Sequence, residues 1–196
     1  MAKIDIATIK KLKELSGVGL TDAKQALVEA NGDFDKALEA MRKKGLTKAE
    51  KRGDRETREG LIDSYVHDGR IGAIVEVNCE TSFVAKTDEF KDLAHKLAMQ
   101  VASMNPLYVS MESIPEEDRS KKLKELEENF KGPEKMKDQI LEGQLKKAFV
   151  EKVLLEQPYI LDDTKTVAEF IKDAIAKTGE NITVRQFKRI ELGVTE

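Results

Sequence analysis

Apolar and polar residues alternate most regularly between positions 71 and 79, and this pattern predicts a β-strand with one buried face. Every second side chain is apolar: Ile71, Ala73, Val75, Val77 and Cys79. A period of two residues is the signature of a half-buried strand. Asp68-Gly69 stands just before it and is typical of a two-residue type I′ turn. Residues 61–67 are therefore predicted to be the partner strand of a hairpin that covers residues 61–79.

The alternation ends after Cys79, and the next residues favour a short helical turn at the tip of the hairpin. Thr81 and Ser82 are of the type that caps helix N-termini, and Thr87 opens a second helical run. Phe83 is thereby predicted to stand exposed on a rigid tip between two capped turns. The alternative is that Phe83 folds back onto the following helix, and the pattern alone does not separate the two.

Three short helical patterns in residues 1–46 predict a small N-terminal bundle. Their predicted caps are Asp5, Thr21 and Asp33, and Gly45 is the predicted end of the third helix. The apolar stripes comprise Ile6, Ile9, Leu12 and Leu15, then Ala23, Ala26, Leu27 and Ala30, then Phe34, Ala37, Leu38 and Met41. Between the first two helices, Val18 and Leu20 either close this core or contact a partner, and both interpretations stay open.

Residues 47–60 are mostly charged, with Ala49 as the one apolar side chain in the charged run, and are predicted to be a linker, which makes residues 61–196 a separate core. Besides the hairpin, the patterns in this core predict a helix over 88–104, a helical hairpin over about 114–150, a helix over 166–178 and a strand over 182–192. Ser113 and Glu116 are spaced as a capping box for the first helix of the helical hairpin. The predicted fold class is α+β, with a three-helix bundle followed by a small antiparallel sheet packed with helices.

Composition narrows the range of functions. Charged residues make up 36% of the 196 residues and the net charge is −3, so no basic excess favours nucleic acid. Aromatic residues make up 5%, with no Trp, which leaves little for base stacking. A single cysteine excludes an internal disulfide and fits a reducing compartment. We expect a soluble cytoplasmic protein, because no signal peptide or membrane-length apolar run is present.

The sequence offers no arrangement typical of a catalytic or metal site. There is no Gly-rich phosphate loop, and His67 and His95 lack metal-ligand spacing. Cys79 falls on the predicted inner face of a strand, where a core thiol is the simpler interpretation. The carboxylates lie in surface runs with Lys and Arg. We therefore expect no enzyme activity and no cofactor, and a function that depends on binding a partner.

Several segments resemble the elongation factor Ts family. The segment from Asn78 to Ala85, NCETSFVA, is similar to the family's Asn-Cys-(Glu/Gln)-Thr-Asp-Phe-Val-Ala, with Ser82 where Asp is usual. The segments LSGVGL at 15–20, ANGD at 30–33 and LLEQP at 154–158 also resemble the family, so the likeness covers nearly the whole chain. The N-terminal three-helix bundle itself resembles a ubiquitin-associated domain.

The resemblance implies a nucleotide-exchange factor whose partner is elongation factor Tu in its GDP-bound and nucleotide-free forms. The residues that would displace Mg²⁺ and insert as a wedge are Thr81, Ser82, Phe83 and Val84. A second contact in the N-terminal domain would involve Lys13, Val18, Gly19 and Leu20. Since Ser82 lacks the usual carboxylate, we predict that it mainly caps the turn and that Phe83 carries more of the effect. The resemblance also allows a homodimer, because some short members of the family self-associate.

Two other functions compete with exchange. In the first, the chain is a binding module whose N-terminal bundle recognises a ubiquitin-like or nascent-chain partner, and the rest is scaffold. In the second, it is a dimerisation protein that buries the sheet edge formed by the C-terminal strand. For none of the three functions do we expect direct contact with nucleic acid or a membrane.

Overall fold

The computed structural model describes residues 5–16, 19–50, 52–130, 132–133 and 136–194, and for residues 42 and 44–50 it describes the backbone alone. The elements, in chain order, are α1 Ile6–Ser16, α2 Leu20–Glu29, α3 Phe34–Glu50, β1 Glu59–His67, β2 Ile71–Cys79, α4 Ser82–Ala85, α5 Asp88–Met104, α6 Glu116–Glu128, α7 Lys137–Val150, β3 Pro158–Tyr159, β4 Asp162–Thr166, α8 Val167–Thr178 and β5 Ile182–Glu191. Helices and antiparallel strands are mixed, which confirms the α+β class.

Helices α1, α2 and α3 enclose one apolar core, as their periodicity predicts. Its buried members are Ile9, Leu12, Ala23, Ala26, Leu27, Ala37 and Met41. Two of the three predicted caps are confirmed. The carboxylate of Asp5 accepts a hydrogen bond from Thr8 N at 2.6 Å, and that of Asp33 accepts one from Lys36 N at 3.1 Å. Helices α1 and α3 thus begin at acidic caps.

The buried face of α1 is narrower than its sequence indicates. Ile6 and Leu15 are exposed, whereas Ile9 and Leu12 are buried. A helix turns about 100° per residue, so residues spaced three apart drift off a face by about 60° at each step. Ser16, four residues after Leu12, takes the next inward position, and its hydroxyl donates to the Leu12 carbonyl oxygen at 2.6 Å.

Helices α2 and α3 correct two predicted boundaries. The N-cap of α2 is Gly19, in extended conformation, and Thr21 lies inside the first turn, so the predicted Thr21 cap is wrong. Helix α3 continues through Gly45 to Glu50, so the predicted stop at Gly45 is also wrong. One glycine inside a helix costs only about 1 kcal/mol, and the Lys-Ala-Glu that follows is a good helix former. Part of the predicted linker is therefore helical, and the division into domains stays a prediction.

The predicted hairpin is formed by β1 and β2, and the order in the three-stranded sheet is β1-β2-β5. Asp68 and Gly69 have φ of 49° and 67°, and Arg70 N donates to His67 O at 2.9 Å, as a type I′ turn requires. Leu192 N donates to Arg70 O at 2.8 Å at the far end of β5. Gly60 has φ +155°, and a Cβ there would collide with the carbonyl oxygen of Val77.

The predicted helical hairpin corresponds to α6 and α7. Its apolar core contains Ile114, Leu145, Phe149 and Val153, with Tyr108, Met111, Leu123 and Leu126 partly buried against it. The predicted capping box is wrong, because the Ser113 hydroxyl accepts from Ser110 N at 3.0 Å and donates to Ser110 O at 2.7 Å. That hydroxyl closes a 3-10 turn over Met111–Ser113, and α6 begins after Pro115 without a side-chain cap.

A two-stranded sheet of β3 and β4 was not predicted. Pro158 pairs with Thr166 and Tyr159 with Asp162, in antiparallel register. One strand has only two residues, and the other, DDTKT, has no apolar alternation. Gln157, directly before β3, is fully buried, and its amide nitrogen donates to Met104 O and Glu151 O at 3.2 and 2.7 Å.

The chain divides into two compact units. One contains Met1–Asp63, Glu76–Ala94 and Glu169–Val184, and the other contains Ser64–Val75, His95–Ala168 and Arg185–Glu196. The first holds the N-terminal helices, the end of β2, α4 and most of α8. The second holds α6, α7, β3 and β4. The predicted tip residues, Thr81 to Val84, belong to the first unit.

Candidate functional site

The end of β2 passes directly into α4, a single helical turn at the predicted tip. Thr81 is its N-cap, with φ −129° and ψ 151°, and the hydroxyl of Thr81 accepts from Val84 N at 3.4 Å. Ala85 N donates to Thr81 O at 3.2 Å, and Lys86 N donates to Phe83 O at 3.3 Å. The cap is thus Thr81, and the prediction that Ser82 caps the turn is wrong, because Ser82 is the first helical residue.

Thr87 connects this turn to the long helix α5. Its hydroxyl donates to Val84 O at 2.8 Å and accepts from Phe90 N at 3.3 Å. The hydroxyl therefore serves as the C-terminal partner of one helix and the N-cap of the next. Because both helix ends are bonded to one side chain, the backbone between Ser82 and Phe90 has little freedom to change direction.

The side chains of the tip divide into an exposed set and a buried set. Phe83 is 80% exposed, and Thr81 and Ser82 are also exposed. Val84 is only 6% exposed and lies in the core. The exposure of Phe83 rules out its folding back onto α5, where Phe90 is buried at 1%. The turn is thus anchored in the core through Val84 and presents the Phe83 ring to solvent.

A carboxylate from the turn after α8 is bonded to the backbone just before α4. Glu180 Oε2 accepts from Glu80 N at 3.1 Å and from Thr81 N at 3.0 Å, and Glu180 Oε1 accepts from the Thr81 hydroxyl at 2.6 Å. In the opposite direction, Glu80 Oε1 accepts from Asn181 N at 2.6 Å. No local pattern predicts this arrangement, because the two glutamates stand one hundred residues apart in the chain.

Asn181, whose backbone N–H donates to Glu80, is itself held in place through its side chain. Its side chain is 2% exposed, and its amide nitrogen donates to Gly53 O at 3.1 Å and Arg55 O at 2.7 Å. Arg55 in turn lies 3.5 Å from the Glu80 carboxylate. The segment after α3 therefore joins the support of the tip.

Cys79 and Asn78 lie at the base of the tip, and both are buried. The burial of Cys79 was predicted; that of Asn78 was not, since it alternates with the apolar positions. The Cys79 thiol donates to Thr81 O at 3.2 Å. Burial raises the pKa of this thiol, and the nearby Glu180 carboxylate raises it further. A thiol kept protonated in this way is a poor nucleophile, so Cys79 has a structural role.

The N-terminal candidate residues lie at the junction of α1 and α2. Lys13, Gly19 and Leu20 are exposed, and Leu20 retains 50% of its accessible surface. Val18 lies outside the described residues. The apolar side chain of Leu20 and the charge of Lys13 are thus both available to a partner.

Neither histidine is arranged as a metal ligand. The His67 Nδ1 atom lies 3.1 Å from the Tyr65 hydroxyl, and the His95 ring meets the Tyr65 ring edge-on at 5.9 Å. Across the part of the chain that the structure describes, no three His, Cys, Asp or Glu side chains are grouped closely enough to hold a metal ion. None of the helices in the described ranges has the length and apolar character needed to cross a bilayer.

Comparison with known proteins agrees with the motifs at the tip. The family model described as Elongation factor TS matches residues 6–194. Elongation factor Ts of Thermotoga maritima is 52% identical over 193 residues, which cover 97% of this chain and 97% of that protein. Elongation factor Ts of Moorella thermoacetica is 50% identical over 194 residues, covering 97% and 96%. That of Fervidobacterium nodosum is 47% identical over 195 residues, covering 97% and 99%. The chain therefore belongs to the elongation factor Ts family.

Proposed function

We propose that this translation elongation factor binds elongation factor Tu·GDP and promotes release of Mg²⁺ and GDP, so that GTP can bind. The observation that supports this most directly is the exposure of Phe83, 80%, on a turn whose backbone is capped at both ends. The family to which the chain belongs supports the choice of partner.

The proposed mechanism is mechanical and makes no covalent bond. A GTPase holds GDP through backbone N–H groups around the phosphates and through a Mg²⁺ ion that bridges phosphate and a Ser/Thr hydroxyl. A ring inserted between the elements that carry these groups shifts them away from the nucleotide. An aromatic side chain suits this task because it buries roughly 150–250 Å² while losing few rotamers.

Thermodynamic linkage sets what the factor must do. It must bind nucleotide-free elongation factor Tu more tightly than the GDP-bound form. The affinity of elongation factor Tu for GDP is then lowered in the same ratio. A rigid tip meets this requirement, because a flexible one would relax around the GDP-bound form and bind both states equally. The two hydrogen bonds of the Thr87 hydroxyl, at 2.8 and 3.3 Å, supply that rigidity.

The roles of the remaining candidate residues follow from their burial. Thr81 shapes the turn as its cap, and Val84 anchors the turn in the core. Ser82 is exposed beside the ring and offers a hydroxyl in place of the usual carboxylate. Lys13 and Leu20 provide a separate contact that adds affinity.

The test is the rate at which elongation factor Tu loses a fluorescent GDP analogue, followed by stopped flow. Addition of this protein should raise that rate in a saturable manner, and excess Mg²⁺ should oppose the acceleration. No acceleration at any concentration would refute the proposed function.

Deletion of residues 1–50 separates exchange from a binding-module function. An exchange factor keeps Phe83 and its support, so the shortened chain should need a higher concentration yet reach an appreciable maximal rate. A module that acts through the N-terminal bundle would lose all activity.

A homodimer is a further proposal, favoured by the position of β5 at an edge of the sheet. Ile190 in β5 and Leu192 just after it are 73% and 61% exposed, and an edge strand with unpaired backbone groups favours pairing with another chain. Light scattering measures the mass in solution directly, and a monomer at all concentrations would contradict the dimer.

A further inference from the structure

The turn that follows α8 contributes a side chain to the tip, although it is remote in sequence. One carboxylate, that of Glu180, accepts three hydrogen bonds there, from Glu80 N, Thr81 N and the Thr81 hydroxyl, at 3.1, 3.0 and 2.6 Å. Hydrogen bonds to an ionised acceptor are roughly twice as strong as neutral ones. All three donors stand immediately before α4, the turn that presents Phe83.

We propose that Glu180 is a positioning residue for nucleotide exchange, and this rests on the proposed function. By accepting hydrogen bonds from two successive backbone N–H groups, the carboxylate fixes the direction in which the chain leaves β2. The Thr81 hydroxyl donates to Glu180 and accepts from Val84 N at 3.4 Å. Its proton is thus directed away from the helix, which leaves a lone pair facing the turn that it caps.

The hydrogen bond from Asn181 N to the Glu80 carboxylate restrains movement of Glu180 along the tip. Glu80 Oε1 accepts from Asn181 N at 2.6 Å, so each glutamate is bonded to the backbone beside the other. Asn181 is itself held by Gly53 O and Arg55 O. A displacement of Glu180 along the tip would have to break bonds in both directions at once.

The location of these bonds distinguishes positioning from general support of the core. Thr81 is exposed, whereas the neighbouring side chains Val84 and Cys79 are buried, and the three hydrogen bonds to the Glu180 carboxylate come from Glu80 and Thr81 rather than from these core residues. Removing the carboxylate therefore frees the turn while leaving the apolar packing beneath it in place.

The test compares variants of the full chain in GDP release, measured over a range of factor concentrations to give a maximal rate and a half-saturating concentration. Glu180→Ala should lower the maximal rate about tenfold, equivalent to the loss of about 1.4 kcal/mol of positioning, with the half-saturating concentration nearly unchanged. Glu180→Gln keeps an oxygen for the two backbone N–H groups and should recover most of the rate. Thr183→Val removes the 2.9 Å bond between the Thr57 and Thr183 hydroxyls and serves as a matched control with wild-type exchange.

A double-mutant cycle with Phe83→Ala provides a readout that a purely structural role would not move. If Glu180 acts through the ring, Glu180→Ala has no further effect on the rate once the ring is absent. If Glu180→Ala lowered the maximal rate of the Phe83→Ala variant by the same ratio as that of the wild type, the proposal would be overturned. A wild-type maximal rate for Glu180→Ala, or a change confined to the half-saturating concentration, would overturn it as well.

Amide exchange measured by NMR reports on the bonds without the partner. The Glu80 and Thr81 amides should be protected in the wild type and exchange faster in Glu180→Ala, and unchanged protection would overturn the proposal. If Glu180→Ala does not fold, the isosteric Thr81→Val, which removes the hydroxyl that donates to Glu180, decides the matter, and a wild-type maximal rate for that variant would refute the proposal. If the wild-type protein did not accelerate GDP release at all, the proposed function itself would be refuted.

Discussion

Replacement of Phe83 by Ala is the most direct perturbation of the proposed mechanism. The ring is 80% exposed, so its removal takes little from the core of the free protein. Surface substitutions of this kind change the free energy of unfolding by within about 0.5 kcal/mol. Any large effect on exchange must then arise from contacts made with the partner.

The magnitude follows from the exposed area. An aromatic side chain buries about 200 Å², of which about 160 Å² is available at 80% exposure. If Ala retains about 60 Å², the substitution removes about 100 Å², worth about 2.5 kcal/mol at about 25 cal/mol per Å². Since about 1.4 kcal/mol is tenfold in rate, Phe83→Ala should slow GDP release about 70-fold.

The assay is stopped-flow release of a fluorescent GDP analogue from elongation factor Tu, with thermal unfolding of each variant measured in parallel. Leu161→Ala is the matched control, because Leu161 is also a large exposed apolar residue, at 56%, in the β3–β4 turn. Wild-type release by Phe83→Ala would refute the reasoning. A loss of stability well above 1 kcal/mol would also refute it, since the ring would then support its own fold.

Four further outcomes are expected. Ser82→Ala should slow GDP release less than Phe83→Ala in the same assay, because Ser82 does not cap the turn; the reverse order would contradict the assigned roles. Gly60→Ala should destabilise the chain by more than about 2 kcal/mol in urea unfolding, because its Cβ would collide with Val77 O. Gln157→Leu should cost about 2–4 kcal/mol in the same measurement, since it removes from a buried position the acceptor for the Gln100 amide and the donor to the Met104 and Glu151 carbonyl oxygens. Because the pKa of the Cys79 thiol is raised in the folded state, its contribution to stability should be complete below the unfolded pKa and lost as pH rises through the folded pKa; Cys79→Ala should flatten that dependence in pH-resolved unfolding.

Local patterns predicted the elements that carry the tip, because their determinants are close in sequence. The type I′ turn needs only Asp68-Gly69, and a two-residue period identifies a strand whatever lies beyond it. Helix α5 occupies Asp88–Met104, the range given by its apolar spacing. Exposure of Phe83 was one of two open alternatives, and only the three-dimensional arrangement decided between them.

Other features depended on partners that no local pattern contains. Ser113 was spaced to cap α6, but its hydroxyl is engaged by Ser110. The contacts of Glu180 with Glu80 and Thr81 depend on how α8 returns to the sheet, which spacing along the chain does not encode. Burial of Gln157 could not be predicted either, because two polar residues before a proline, Glu156-Gln157-Pro158, are typical of a loop.

The exposed ring of Phe83 also affects how the free protein behaves at high concentration. A benzyl group that stands ready to enter another protein can equally meet the same group on a neighbour. Lys86, Asp88 and Glu89, all exposed, stand close to it in sequence, and such charges act as gatekeepers that discourage clustering. Salt shortens the reach of that repulsion to about 8 Å at physiological ionic strength. We therefore expect self-association of this chain to depend on ionic strength, and we expect a variant without the Phe83 ring to lack that dependence.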